Sequence, residues 1–389
     1  MSFTYPLLDK AFSNQDLKEA TKVLKSKKIT MGKVTKKFEK IFSQKLKSKY
    51  CLMVNSGSSA NLLAFFCIMN PKSVYSVKRN DECIVPALCW STTLWPIIQS
   101  GLKPKFVDVN RENFCVDYQT IKKNITKKTK VIIIVNVLGN CSEIDKIRTL
   151  AIRKNIILIE DNCESLGSVY KKKHLGTFGN YGTFSFYYSH QITSGEGGMI
   201  ICKSKNDYNI LKALRAHGWD RELNKKNNQK FNFINQGFNL RPLDITAAIG
   251  LNQFRRLDSM KKTRAYNRNM IIKELKKSHN WNDDFEFFKS NQNLNPSWFG
   301  FPLIIKKDIN KKNYLDYLKK NKVETRPIIS GNFAKQPALK LNNIIVNSNK
   351  FKNAQFIEDK GFFIGLPIKK MPLIKIKKLS KILLNIKKF

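Results

Sequence analysis

Four short stretches carry residues that could do chemistry together. Asn55-Ser-Gly-Ser-Ser59 follows the apolar run Tyr50–Val54 and precedes an apolar helical pattern from Ala60 to Met69. A strand, a tight turn and a helix N-terminus offer free N–H groups and a positive dipole end to an anion such as phosphate. Ile159-Glu-Asp-Asn-Cys-Glu-Ser165 follows a buried-strand pattern and puts Asp161 where the strand ends. A carboxylate there faces the crevice beyond the sheet. It can hold a pyridine nitrogen protonated, which turns the ring into an electron sink; the plainer role for such a residue is a helix N-cap. Gly182-Thr-Phe-Ser-Phe-Tyr-Tyr-Ser-His190, followed by Gly195-Glu-Gly-Gly198, brings an imidazole to a glycine-rich turn. A neutral histidine is a base near pH 7, although a histidine in an aromatic stretch also serves as a satisfied core residue. Gly237-Phe-Asn-Leu-Arg-Pro242 adds an amide and a guanidinium, whose planar fork suits anions.

These pieces need a scaffold. Strand-like runs at Tyr50–Val54, Glu82–Pro86, Lys105–Val109, Val131–Val135 and Ile156–Ile159 alternate with helical stretches. That alternation predicts a mainly parallel sheet covered by helices, an α/β architecture. Eight of the 18 glycines fall between Gly167 and Gly218, which concentrates close backbone approaches there. Residues 15–50 read as helical and lysine-rich, and Asn252–Lys277 reads as one long charged helix. After a polar stretch, strand-like Trp298–Ile305 opens a smaller α+β unit. The expected division is 1–255 for a large ligand-binding domain and 256–389 for a small C-terminal domain. The last residues, PLIKIKKLSKILLNIKKF, fit a helix packing its Ile/Leu face on the small domain better than one lying on a membrane surface.

The 389 residues carry 71 Lys and Arg against 29 Asp and Glu, a formal charge of +42. Lysine is spread along the whole chain rather than gathered in a tail. The excess therefore reads as composition with a preference for anionic ligands, not as a nucleic-acid site. No apolar run is long enough to span a membrane, and the first residues lack the pattern of a secretory signal. Eight cysteines, none beyond Cys202, include no C-x-x-C pair and no close Cys/His cluster. A metal site is not expected, and reduced thiols in the cytoplasm are.

In this order and spacing the four stretches resemble the pyridoxal-phosphate (PLP) dependent sugar aminotransferase family, DegT/DnrJ/EryC1/StrS. The resemblance covers nearly the whole chain and implies the fold type I aminotransferase architecture. It implies that Gly57 and Ser58, helped by Ser185, bind the cofactor phosphate. Trp90 would stack on the pyridine ring, Asp161 would meet its nitrogen, and Glu164 would stand beside the cofactor where many relatives carry Gln. Asn239 would reach the phosphate of the neighbouring subunit's cofactor, which implies a homodimer with shared active sites. His217 matches a family motif either as a substrate contact or as structural support. Arg241 and Arg326 are candidates for a carboxylate or sugar phosphate, or for a domain-interface ion pair.

One position departs from the family. Counting back from Gly195-Glu-Gly-Gly198, the lysine that tethers the cofactor falls on His190. Imidazole forms no Schiff base, so PLP and its amine form, PMP, would be held noncovalently. The histidine marks a 3-dehydratase branch of the family, which acts on nucleotide-linked 4-keto-6-deoxyhexoses. Its iron–sulfur type places cluster cysteines after the Arg-x-His-Gly region, where this chain has none. The other type takes a GDP-linked sugar, GDP-4-keto-6-deoxy-D-mannose, with L-glutamate as amino donor. Thr30-Met-Gly32, Trp90-Ser-Thr-Thr93, Arg215-Ala-His-Gly-Trp219 and Ser297-Trp-Phe-Gly-Phe301 carry this closer resemblance. A nucleotide-sugar aminotransferase is the rival reading. A noncatalytic PLP-binding or nucleic-acid-binding regulator is the rival from another class.

Overall fold

The computed structural model describes residues 3–9, 11–223, 230–279 and 281–388. A seven-stranded sheet forms its centre from β1 (Tyr50–Val54), β2 (Glu82–Pro86), β3 (Lys103–Val107), β4 (Thr129–Val135), β5 (Ile157–Asp161), β8 (Tyr181–Ser185) and β9 (Gly198–Cys202). Between them β6 (Val169–Tyr170) and β7 (Lys173–His174) make a small hairpin. The order is β1-β9-β8-β5-β4-β2-β3. Strands β8, β5, β4, β2 and β3 run parallel, and β9 pairs antiparallel with both β1 and β8. Strands β4 and β5 are almost continuously apolar and buried, as a sheet covered on both faces requires.

Helices α1 (Asn14–Lys25), α2 (Lys33–Leu46), α3 (Gly57–Ile68), α4 (Ser91–Gln99), α5 (Tyr118–Asn124), α6 (Ile144–Arg153), α7 (Lys205–Arg215), α8 (Asp244–Arg255) and α9 (Leu257–Leu275) surround the sheet. The lysine-rich segment expected to be helical is two helices. They part at Thr30–Gly32, where the Asp244 carboxylate accepts from the amides of Gly32, Val34 and Thr35 and so caps α2 from 209 residues or more away. The helix expected over Asn252–Lys277 likewise breaks at Arg256. The break lets the Arg256 guanidinium reach both oxygens of buried Asp16, at 2.6 and 2.8 Å. Strand β3 ends at Val107, because Asp108 leaves the ladder to accept from the amides of Asn353 and Ala354.

A second, antiparallel sheet follows, ordered β10 (Phe285–Phe287), β12 (Gly300–Ile305), β14 (Gly361–Gly365), β13 (Thr325–Arg326). β11 (Leu294–Asn295) returns to pair with β6, and Tyr5 bridges to Val323 while its hydroxyl donates to Gly365 O. The terminal helix Leu373–Leu384 buries Ile376, Leu379, Ile382 and Leu383; Phe389, the last residue of that stretch, lies outside the described residues. Among the described residues no helix is long and apolar enough to cross a membrane, and all eight cysteines are unpaired.

Candidate active site

Val54, Ser185 and Asp161 are the last residues of β1, β8 and β5, and Gly198 opens β9 beside the first two. They therefore meet at one edge of the sheet, the carboxyl edge of its parallel strands, where open α/β sheets leave a crevice. The two-residue period of β8 sorts its side chains. Phe184, with Phe186 just beyond, packs into a cluster with Phe38, Phe42 and Phe254, and Phe42 stacks on Phe254 at 4.8 Å. Thr183 and Ser185 face α3 instead: Thr183 Oγ1 donates to Asn61 Oδ1 at 2.6 Å. A Cβ on Gly57 would stand 2.5 Å from Ser185 Cβ and 2.8 Å from Cys163 Sγ. The turn thus lies pressed onto β8, and only glycine permits it. Ser56 caps α3 by accepting from Ser59 N, which leaves the other first-turn amides facing outward for an anion.

Asp161 is 4 % exposed and tightly held. Its Oδ2 accepts from Thr93 Oγ1 at 2.8 Å and from Asn61 Nδ2 at 2.9 Å, and its Oδ1 from Cys163 N at 3.1 Å. Three donors fix its direction. One turn of α4 serves both anchors, since Thr92 Oγ1 accepts from Ser58 Oγ at 2.9 Å. Trp90 stands at the N-cap of that helix with 55 % of its surface exposed, an indole facing open space. Glu164 accepts from Leu138 N at 2.9 Å. Burial, opposed by that amide and reinforced by the charge of Asp161, raises its carboxyl to about 7.

His190 sits in the turn after β8, half-buried, its ring met edge-on by Phe299 at 5.0 Å and Tyr187 at 5.9 Å. Its Nδ1 is buried without a hydrogen-bond partner. Burial, aided by the nearby Arg264 charge, lowers the imidazole to about 3, so the free ring is neutral at pH 7 and can accept a proton only from a group that the bound cofactor has made acidic. Gln191 ties the turn down by donating to the carbonyls of Glu164 and Ser297.

The structure thus gathers Gly57, Ser58, Trp90, Asp161, Glu164, Ser185 and His190 at one edge. It sets the remaining candidates apart. Asn239 and Arg241 line a separate cavity of about 970 Å³ that also takes in Gly32, Lys36, Arg215 and Trp219. There Arg241 Nε donates to Asn239 Oδ1 at 3.0 Å. His217 is exposed with φ of 63°, a left-handed conformation held by its amide donating to Phe238 O. Arg326 is exposed on β13, 3.2 Å from Glu324. Asn61, Thr93, Gln191 and Arg264 belong to the site but do not stand out in the sequence. Asn61 was the most readable, a polar residue one helical turn after Gly57 in an apolar helix.

These residues fit a phosphorylated pyridine. The close-packed glycine turn and helix N-terminus suit its phosphate, buried Asp161 its ring nitrogen, and Trp90 its face. No lysine stands at position 190, so the chain offers it no covalent tether there.

The chain belongs to the DegT/DnrJ/EryC1/StrS aminotransferase family, whose model matches residues 10–371. It is 39 % identical over 379 residues to the GDP-4-keto-6-deoxy-D-mannose 3-dehydratase of Escherichia coli, covering 93 % of this chain and 95 % of that one. The enzyme of the same name from Yersinia pseudotuberculosis is 38 % identical over 378 residues, 93 % of each chain. Among solved structures, E. coli GDP-4-keto-6-deoxy-D-mannose-3-dehydratase with bound hydrated PLP superposes with a TM-score of 0.90 at 36 % identity, covering 98 % of this chain and all of that one.

Proposed function

We propose that this protein is a PLP/PMP-dependent nucleotide-sugar 3-dehydratase. It would remove the C3 oxygen of a nucleotide-linked 4-keto-6-deoxyhexose, GDP-4-keto-6-deoxy-D-mannose, in the making of a 3,6-dideoxysugar for a surface polysaccharide. L-glutamate would supply the amine and leave as 2-oxoglutarate, and ammonia would be released with the product. The observation that carries this reading is His190, standing where the family tethers its cofactor, in a site whose phosphate, ring-nitrogen and stacking positions are all kept.

PLP, when bound, would supply an electron sink for the reaction, with glutamate as the source of the amine. The protein's own residues do the rest. Gly57, Ser58 and Ser185 hold the phosphate at the start of α3. Asp161, aimed by Asn61 and Thr93, keeps the ring nitrogen protonated and so stabilises the negative charge that develops. Trp90 covers the ring face. His190 enters neutral, accepts the proton whose loss drives electrons toward C3, and as imidazolium donates it to the departing hydroxyl. Glu164, protonated in part near neutrality, stands beside the cofactor. A lysine at position 190 would compete for the carbon at which this chemistry happens; a histidine does not.

Asn239 would act across a homodimer, reaching the cofactor phosphate of the neighbouring subunit's site, and Arg241, held to Asn239, is the candidate beside it for a carboxylate or sugar phosphate. His217 and Arg326 are kept as substrate contacts to be tested, and a soluble cytoplasmic location accords with a nucleotide-sugar substrate.

A single-turnover assay tests the reading. The protein is loaded with PMP, given GDP-4-keto-6-deoxymannose, and its products are weighed by mass spectrometry. A 3-deoxy sugar and free ammonia, both lost in His190→Asn by about 10²–10⁴-fold, are expected. A 4-amino sugar with its C3 hydroxyl intact would make the protein an aminotransferase instead.

A further inference from the structure

Arg264 lies on α9, 2 % exposed, far along the chain from every residue placed in the site above. Its Nη2 donates to the backbone carbonyl of His190 at 3.3 Å, and its Nε donates to the carbonyl of Leu366, just past β14, at 3.2 Å. No carboxylate pairs with it among the described residues, and burial alone lowers its guanidinium to about 10. A buried, unpaired guanidinium is a costly thing to keep. What it gains is two backbone carbonyls from separate parts of the fold, held by one rigid fork.

We propose that Arg264 is a positioning residue for His190, pinning the turn that bears the imidazole to the loop that leaves the C-terminal sheet. The arrangement has three supports. The His190 carbonyl is held from α9. The next residue, Gln191, is held by the carbonyls of Glu164 and Ser297. The ring itself is caught edge-on between Tyr187 of the same turn and Phe299, two residues after Ser297. Phe299 in turn meets Phe363 of β14 edge-on at 5.7 Å. Leu366 and Phe363 both belong to the C-terminal unit, so the fork and the ring contacts tie the imidazole to one body. The charged side chain acting on the ring is Arg264, and its positive charge opposes premature protonation. A base placed within reach of one carbon needs this restraint, because an error of about 1 Å costs on the order of 10²-fold in rate.

The inference rests on His190 as the proton carrier, and its test separates the two. In cofactor-free protein labelled at histidine, the His190 ring protons are assigned by their loss in His190→Asn. Their shifts report the ring currents of Tyr187 and Phe299, calibrated with Tyr187→Leu and Phe299→Leu. In Arg264→Gln those shifts should move toward the values of a free imidazole, with Arg264→Lys intermediate. In the PLP-loaded protein, the single-turnover rate constant for 2-oxoglutarate release at saturating glutamate should fall roughly 10–100-fold in Arg264→Gln. The half-saturating glutamate concentration should hold, and Arg264→Lys should recover part of the loss. Circular dichroism and Tm establish that each variant is folded. Unmoved ring shifts in a folded Arg264→Gln would overturn the proposal, as would moved shifts with an unchanged single-turnover rate constant. If the wild type failed to act on the GDP-sugar at all, the proposed function would fall while the ring-shift result still judged Arg264.

Discussion

Thr93 Oγ1 donates to Asp161 Oδ2 at 2.8 Å, and this one bond joins the start of α4 to the end of β5. Asn61 reaches the same oxygen from α3, so three elements converge on a single buried carboxylate. Its other oxygen is held by the Cys163 amide. The carboxylate cannot turn, and its charge is directed at whatever occupies the crevice.

The amide of Asp161→Asn keeps the shape but loses the charge. It should lower kcat for the dehydration by about 10²–10³-fold, the range for removing one preorganised electrostatic contact in a buried site. Thr93→Val, which leaves the charge and removes one aiming bond, should cost about tenfold. Single-turnover rates at saturating PMP measure both. Equal losses in the two variants would mean that the carboxylate matters only for packing.

Gly57 makes a second claim about geometry. A methyl group there would overlap Ser185 Cβ at 2.5 Å and Cys163 Sγ at 2.8 Å, so the turn must lift from β8. Overpacking of this kind costs about 1–3 kcal/mol. In Gly57→Ala most of that should appear as weaker cofactor binding, because the first-turn amides move with the turn. Equilibrium dialysis with PLP should show a dissociation constant roughly 10–100-fold higher. Unchanged PLP affinity would remove this turn from the phosphate site.

The parts of this molecule that the sequence announces are those that local pattern controls. Tyr50–Val54 ends where its apolar run ends, and Gly57, Asp161 and Ser185 meet because Asp161 and Ser185 close their strands and Gly57 opens the helix that follows β1. The parts it conceals are set by distant partners. The pattern over Asn252–Lys277 is unbroken, yet the helix parts at Arg256 to serve Asp16, some 240 residues earlier. Arg264 looks like any surface arginine on a charged helix until the fold buries it beneath His190. Thr93 falls within the Trp90-Ser-Thr-Thr93 stretch but shows no role there, and Gln191 carries no local mark, since their roles exist only once β5 and the Ser297 segment are in place.

Shared active sites predict complementation. If Asn239 and Arg241 serve the neighbouring subunit, a His190→Asn chain and an Asn239→Ala/Arg241→Ala chain damage different halves of the same composite site. Each variant alone should be inactive or nearly so. Mixed and allowed to exchange, half of the dimers become hybrids with one intact site, restoring roughly a quarter of wild-type activity. Light scattering fixes the oligomeric state beforehand. No recovery from subunits that demonstrably exchange would place Asn239 and Arg241 in their own chain's chemistry, or outside it.

Glu164 offers a test in pH alone. Burial, opposed by the Leu138 amide and joined by the charge of Asp161, raises its folded-state pKa to about 7 from the ordinary 4.5. Between those values the folded protein holds a proton that the unfolded chain has lost. Stability linked to this group is therefore complete below about pH 4.5 and is lost as pH rises through 7. His190 has the opposite sign: its pKa is lowered to about 3, so its penalty grows only as pH falls below about 6.5. Burial lowers Lys203, Lys261 and Lys311 to about 8, so these three raise stability as pH approaches 8, and Glu164 is read as the difference between two proteins that share them. Chemical denaturation of the cofactor-free proteins from about pH 6.5 to 8 should show the wild type losing stability with pH relative to Glu164→Gln, whose neutral amide keeps the shape of the protonated acid. Parallel profiles in the two proteins would mean that Glu164 is already ionised when folded, and its place beside the cofactor would then have to be explained as a fixed negative charge.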